Sequence, residues 1–196
     1  LSAVAAWQDW TEKHRPRALA DLVGNGPAVK EMRAWAEEWQ RGEPAEKALI
    51  LAGEPGVGKT SAAHALARDL GWGVVELNAS DQRNEEIIRR IAGAGATNRA
   101  FGADGAFAQG GRQLVILDEA DNLFGREDRG GMKAILDTLR ETKQPVVLIA
   151  NDLYELQRRG ASLKTLARTV KFTKVRSNSI PPALRRICEK EGVTLD

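Results

Sequence analysis

Disulfides, membrane spans and a dominant charge are all missing from this sequence. Cys188 is its single cysteine, so an internal disulfide framework is excluded and a reducing compartment is expected. A small residue on a helix face accounts for that thiol more simply than catalysis does. No apolar run approaches the length needed to cross a bilayer and no signal peptide is visible, so the expectation is a soluble intracellular chain with no membrane partner. Basic and acidic residues nearly cancel, 29 against 27, leaving a formal charge of +2. Net charge therefore does not mark a nucleic-acid binder, and any basic surface has to be local. No internal repeat is visible. With 196 residues the chain can hold one sizeable α/β domain and the start of a second.

What is present is concentrated in eight residues, Gly53-Glu54-Pro55-Gly56-Val57-Gly58-Lys59-Thr60. An apolar run, 48–52, precedes them and reads as a buried strand. Ser61 and the alanine-rich stretch to Arg68 follow and read as a helix. Strand, glycine loop ending in Lys-Thr, then helix is the setting in which G-x-x-x-x-G-K-[ST] binds phosphate. The glycines let backbone N–H groups turn inward around a polyphosphate, and the helix N-terminus adds partial positive charge. Lys59 can reach the β- and γ-phosphates of ATP, and the Thr60 hydroxyl can join a Mg²⁺ shell.

Elsewhere, apolar runs alternate with helical patterns. Residues 27–41 carry Val29, Met32, Trp35, Ala36 and Trp39 on one helical face, a stripe that reads as core. Strands are predicted over 47–52, 73–78, 114–117, 145–150 and, more weakly, 169–172. Helices are predicted over 85–92, 132–142 and 180–191. The stretch 93–111 is rich in Gly and Ala and is expected to include a mobile loop, and 125–131 reads as a polar loop. Strands that are apolar throughout suit a parallel sheet covered on both faces. The expected architecture is a doubly wound α/β sheet flanked by helices.

The run Leu114-Val115-Ile116-Leu117-Asp118-Glu119-Ala120-Asp121 supplies the second half of a hydrolytic site. It delivers Asp118 at the C-terminal end of a strand, where ligands bind in open α/β sheets. A carboxylate there can hold Mg²⁺ through its water shell, and Glu119 can orient and deprotonate an attacking water. Asn151 ends the 145–150 strand at the same edge. It can bond the γ-phosphate or the water, or simply start an Asx turn. After the 73–78 strand, Arg83, Arg89 and Arg90 gather around a helix start. They suit a DNA phosphate, with a solvated helix face as the alternative.

In their order these segments resemble the clamp-loader ATPases of the AAA+ class, the replication factor C family. Trp10-Thr11-Glu12-Lys13-His14-Arg15-Pro16 is similar to its N-terminal box, with His14 where tyrosine is usual. Asp21-Leu22-Val23-Gly24-Asn25 is similar to the next box, which lies near adenine in the family. Leu77-Asn78-Ala79-Ser80-Asp81 and Asp118-Glu119-Ala120-Asp121 match two further boxes, and Asn151 matches the first sensor. Two features resemble the large-subunit branch. One is the run Glu127-Asp128-Arg129-Gly130-Gly131. The other is Leu166, which stands where small subunits carry the arginine of a Ser-Arg-Cys motif; Arg168, two residues on, is the nearest substitute.

The resemblance implies an AAA+ P-loop NTPase fold over 27–175, an N-terminal nucleotide-pocket segment over 1–26, and the beginning of a helical lid domain over 176–196. It implies ATP and Mg²⁺ as cofactors. Small replication factor C subunits, a sliding clamp (PCNA) and primer–template DNA are the implied partners, in the cytoplasm beside the nucleoid. Val23, Gly24, the loop from Gly53 through Ser61 and Asp118 would then contact nucleotide. Lys59, Glu119 and Asn151 would serve catalysis, with Thr60 and Asp118 at the metal. Slow hydrolysis without partner subunits is expected. A helicase or branch-migration motor and a non-hydrolysing ATP-binding scaffold share parts of the pattern. The Asn-Ala-Ser-Asp box argues against the first, and intact Lys59, Asp118 and Glu119 against the second.

Overall fold

The computed structural model describes residues 9–42, 44–78, 99–101, 107–109, 111–122 and 129–193. A short helix α1 (Trp10–Lys13) and a 3₁₀ turn (Leu19–Asp21) lead into α2 (Gly26–Arg41). Then come β1 (Ala48–Ala52), α3 (Lys59–Asp69) and β2 (Gly73–Asn78). An antiparallel ribbon of β3 (Arg99–Phe101) and β4 (Phe107–Gln109) precedes β5 (Gln113–Asp118). Following it are α4 (Arg129–Glu141), β6 (Val146–Ala150), α5 (Leu153–Arg159) and α6 (Leu163–Leu166). The described chain ends with β7 (Ala167–Lys171) and α7 (Ile180–Glu191).

A strand that is apolar at every position is stable only if both its faces are covered. The alternation of side chains along each strand sorts these runs onto two cores. Leu49, Leu51, Leu114, Ile116, Val147 and Ile149 pack on one face, against α2 and α3. Ile50, Val115, Leu117, Val146 and Leu148 pack on the other, with Ile135 and Leu139 of α4, Leu156 of α5 and Leu163 of α6. The five strands are parallel in the order β2-β5-β6-β1-β7. The doubly wound α/β expectation holds. So does the Met/Trp stripe of α2: Met32, Trp35 and Trp39 are fully buried. The two indoles meet edge to face at 6.2 Å, and Trp35 Nε1 donates to the Glu46 carbonyl at 2.8 Å.

Helices α1, α5 and α6 have no counterpart among the sequence expectations. They have only 4, 7 and 4 residues, too few to show a period. Caps make two of them: Asp9 accepts from the Thr11 N–H, and Asp152 from the Glu155 N–H. Strand β7 begins two residues before the expected 169 because Ala167 and Arg168 pair in register with Ala48 and Leu49. Helix α4 begins at Arg129 rather than 132. The β3–β4 ribbon lies inside the stretch expected to include a loop. The predicted helix 85–92 lies outside the described residues.

Candidate active site

β1 sits between β6 and β7, so a chain leaving its C-terminal end has a strand end on either side. Only glycine fits the exit. The Gly53 N–H donates to the Ala150 carbonyl at 3.2 Å, and the Phe172 N–H reaches the Ala52 carbonyl at 2.7 Å. A Cβ on Gly53 would lie 2.3 Å from the Phe172 carbonyl oxygen. The loop then turns into α3 through Gly58, whose φ of +94° is a left-handed conformation that side chains resist. The helix starts at Lys59, so its unpaired N–H groups face the loop.

This edge of the sheet gathers four of the expected residues into two neighbouring hydrogen-bonded pairs. Lys59 Nζ donates to the Gly53 carbonyl (2.6 Å), the Glu54 carbonyl (2.8 Å) and Asn151 Oδ1 (2.9 Å). Thr60 Oγ1 donates to Asp118 Oδ2 at 2.9 Å. Lys59 is buried, and its ammonium is held below its ordinary pKa, first by desolvation; the charges of Asp118 and Asp121 partly oppose this. Every atom bonded to Lys59 is a neutral oxygen. Among the described residues no carboxylate lies within ion-pair distance of it. Such a cation, beside a glycine loop at a helix start, is poised for an anion.

Glu119 occupies the turn after β5 at φ +54°, unusual for a residue with a side chain. Its own N–H donates to Asp118 Oδ1 at 2.7 Å, and its carboxylate accepts from Asn122 Nδ2 at 3.5 Å. Asp118 and Thr60 present two hard oxygens side by side, the donor chemistry of a Mg²⁺ site that is completed by phosphate and water. Among the described residues no cluster of three or more His, Cys, Asp or Glu could hold a metal on its own.

Beside the glycine loop lies a cavity of about 600 Å³, the size class of a small-ligand pocket. Gly56, Val57, Gly58 and Ser61 form one wall, and Leu22 and Val23 another. Ala183, Arg186, Ile187 and Lys190 of α7 close it. Gly24 packs on Val175 and is left-handed, as is Asn25. The Asn25 amide straps this segment to Thr173: Oδ1 accepts the Thr173 N–H at 2.8 Å, and Nδ2 donates to its carbonyl at 3.0 Å. Across the mouth, Glu191 of α7 takes Lys13 Nζ at 2.7 Å and meets His14 Nε2 at 2.6 Å. That contact holds the Glu191 carboxyl below its ordinary value, chiefly through the Lys13 hydrogen bond.

Two expected nucleotide residues stand further out. Glu54 is exposed and pairs with Lys174 at 2.7 Å, and Pro55 lines a second, shallower hollow with Ile180 and Leu184. Arg83, Arg89 and Arg90 lie outside the described residues, as does most of the 77–81 box. Lys13, Asn25, Asp121 and Glu191 escape sequence reasoning as site residues. Lys13, Asn25 and Asp121 carried a signal, since each stands inside a segment that resembles a family box. Arg168 is no free arginine: its guanidinium bonds Glu46 at 2.7 Å and Glu38 at 3.1 Å, which raises its pKa, first through the Glu38 bond. It sits near the start of β7, at the opposite end of the sheet from Lys59. Leu166 packs against the core.

Known proteins frame this geometry. The family model "ATPase family associated with various cellular activities (AAA)" matches residues 49–191. A replication factor C large subunit of Methanosarcina mazei is 51% identical over 95% of this chain, which spans 29% of that protein. One from Halorubrum lacusprofundi is 50% identical over 96% of the chain, which spans 38% of it. Among solved structures, a Thermotoga maritima RuvB Holliday junction branch migration motor matches with a TM-score of 0.62 at 19% identity. That match covers 93% of this chain and 56% of the other. Likeness at that identity speaks for the fold alone.

Proposed function

The chain belongs to the AAA family of ATPases, and from that premise we propose that it is the ATP-hydrolysing part of a clamp-loader large subunit. The observation that carries hydrolysis is the meeting of two hydrogen-bonded pairs, Lys59 with Asn151 and Thr60 with Asp118, which join the start of α3 to the ends of β6 and β5. The clamp-loader setting is supported by about half-identity to proteins named replication factor C large subunit. The chain spans about a third of their length, so the action of the whole protein is inferred.

In this reading the backbone of the glycine loop cradles the phosphates of ATP, and Lys59 exchanges its neutral oxygens for phosphate oxygens. Thr60 and Asp118 would hold Mg²⁺, which when bound supplies charge neutralisation at the phosphates. Glu119 orients the attacking water, and Asn151 contacts the γ-phosphate. Val23 and Gly24 stand at the base, and α7 begins a lid over 176–196 that encloses it. The transition state still wants a positive group from outside the chain; Leu166 and the engaged Arg168 bear only on what this chain could donate to a neighbour's site. An arginine from a neighbouring small subunit would be worth roughly 10³–10⁵ in rate. Hydrolysis by the chain alone is then slow, and ATP acts mainly as a conformational ligand for clamp opening on primer–template DNA.

Reconstitution tests this. ATP turnover and clamp loading are measured with the full-length protein, small subunits, clamp and primed DNA, omitting each in turn. Turnover should rise with each addition. Turnover indifferent to all of them contradicts the clamp-loader reading.

A further inference from the structure

Asp121 closes the acidic box, yet the reading above gives it no task. Its Oδ2 accepts two backbone N–H groups, from Asn151 at 3.0 Å and Asp152 at 2.8 Å. These are the first two residues beyond β6. The neighbouring Ala120 N–H adds a bond to the Ile149 carbonyl at 2.7 Å. The paired register of β5 and β6 runs only to Leu117 opposite Leu148, so these three bonds carry the link past the end of the ladder. From the backbone so fixed, the Asn151 side chain turns to Lys59 Nζ at 2.9 Å. The other Asp121 oxygen, Oδ1, is buried and has no hydrogen-bond partner among the described residues. A buried acceptor left bare costs stability, so this carboxylate is not explained by folding economy alone.

The geometry points to Asp121 as a positioning residue: it fixes the backbone of Asn151 so that the Asn151 amide distinguishes a nucleoside triphosphate from a diphosphate. Asp121 bonds the backbone of Asn151 and Asp152 and, among the described residues, makes no hydrogen bond to the glycine loop. It acts through Asn151, tying the turn that carries Asp118 and Glu119 to the strand end that carries the amide. The two sides of the reacting phosphate are thereby held in one register. Small displacements matter there, because phosphoryl transfer depends mostly on placement. The assignment rests on the ATPase reading above.

The test uses the full-length protein and compares binding of ADP with binding of a non-hydrolysable ATP analogue, alongside turnover. Asp121→Ala should leave ADP affinity within about twofold, reduce the triphosphate preference about tenfold, and lower kcat more than it raises KM. Asp121→Asn keeps an acceptor for both N–H groups and should stay within about threefold of wild type. In the double variant with Asn151→Ala, Asp121→Ala should add nothing to the loss of preference, since both act through one amide. If Asp121→Ala does not fold, Asp121→Glu moves the acceptor by one methylene, keeps the charge, and should show the same loss. The assignment is overturned if preference and kcat survive, if ADP affinity falls in step with the triphosphate, or if the double variant's losses add. A wild-type protein that binds neither nucleotide fails earlier, on the ATPase reading, and takes this assignment with it.

Discussion

Two cations lie at opposite ends of one sheet, and their surroundings differ in kind. Arg168, near the start of β7, is 27% exposed and meets two carboxylates, Glu38 and Glu46. Lys59, past the end of β1, is 5% exposed and meets three neutral oxygens. Burial of a charge is tolerated when an opposite charge accompanies it. By that rule Arg168 is complete within the chain and serves the fold. Lys59 is solvated by dipoles alone, and desolvation lowers its pKa where the ion pairs raise that of Arg168. The rest of the lower end is equally self-sufficient. Lys47 Nζ reaches the Arg140 and Thr142 carbonyls, and Thr142 Oγ1 donates to the Gln144 carbonyl. Unfilled electrostatic capacity, more than burial or charge, separates the functional end of this sheet from the structural one.

The contrast can be broken most forcefully at Glu119. On the upper edge a substitution should cost chemistry and leave the fold intact. Glu119→Gln in the reconstituted complex is expected to lower ATP turnover at this site by about 10²–10⁴-fold, the range of a lost general base, with ATP still bound. Full turnover in that variant removes this site from the catalysts. Gly53→Ala probes a place on the upper edge where the backbone itself is constrained, against the end of β7. Its Cβ would meet the Phe172 carbonyl oxygen, which belongs to the main chain and cannot swing aside. A loss of about 1–3 kcal/mol by denaturant unfolding is expected, with weakened nucleotide binding. Unchanged stability would mean that the loop and β7 are less tightly joined than they stand here.

Much of this was legible in the sequence, and the reason is locality. The glycine loop, Lys59 and Thr60 are contiguous, and Asp118 and Asn151 each end an apolar run, so strand periodicity alone brings them to one edge. The five strands followed from apolar character, because a sheet covered on both faces requires it. Long-range pairing was not legible. Lys13 and Glu191 stand 178 positions apart, and nothing in either neighbourhood announces the other. Asp121 was visible as a carboxylate, but its bonds to the Asn151 and Asp152 backbone appear only once β5 and β6 are neighbours. Arg168 looked available until its two carboxylates came into place from α2 and the segment before β1.

The smallest effect belongs to the clasp over the pocket, where a charge pair is local and partly wet. Glu191 is held below its ordinary carboxylate value. Its contribution is therefore fully present above the unfolded carboxylate pKa of roughly 4.3 and is lost as pH falls through the lower folded value. Glu191→Gln should loosen nucleotide binding by no more than about threefold at neutral pH. That difference from wild type should vanish in acid, when both side chains are neutral. A pH-independent difference, read by equilibrium binding, would show that Glu191 acts by shape rather than charge.

Titration of Mg-ATP into wild-type, Lys59→Met and Arg168→Met protein, with thermal unfolding of each, tests the contrast most directly. Lys59→Met is expected to weaken ATP binding at least about 100-fold, as loss of charge-assisted phosphate contacts would, with an unfolding midpoint unchanged or raised. Arg168→Met should bind ATP within about twofold of wild type and unfold at lower temperature, by about 1–2 kcal/mol of stability after allowing for water at Glu38 and Glu46. If Arg168→Met loses ATP while Lys59→Met keeps it, the assignment of the two ends is contradicted.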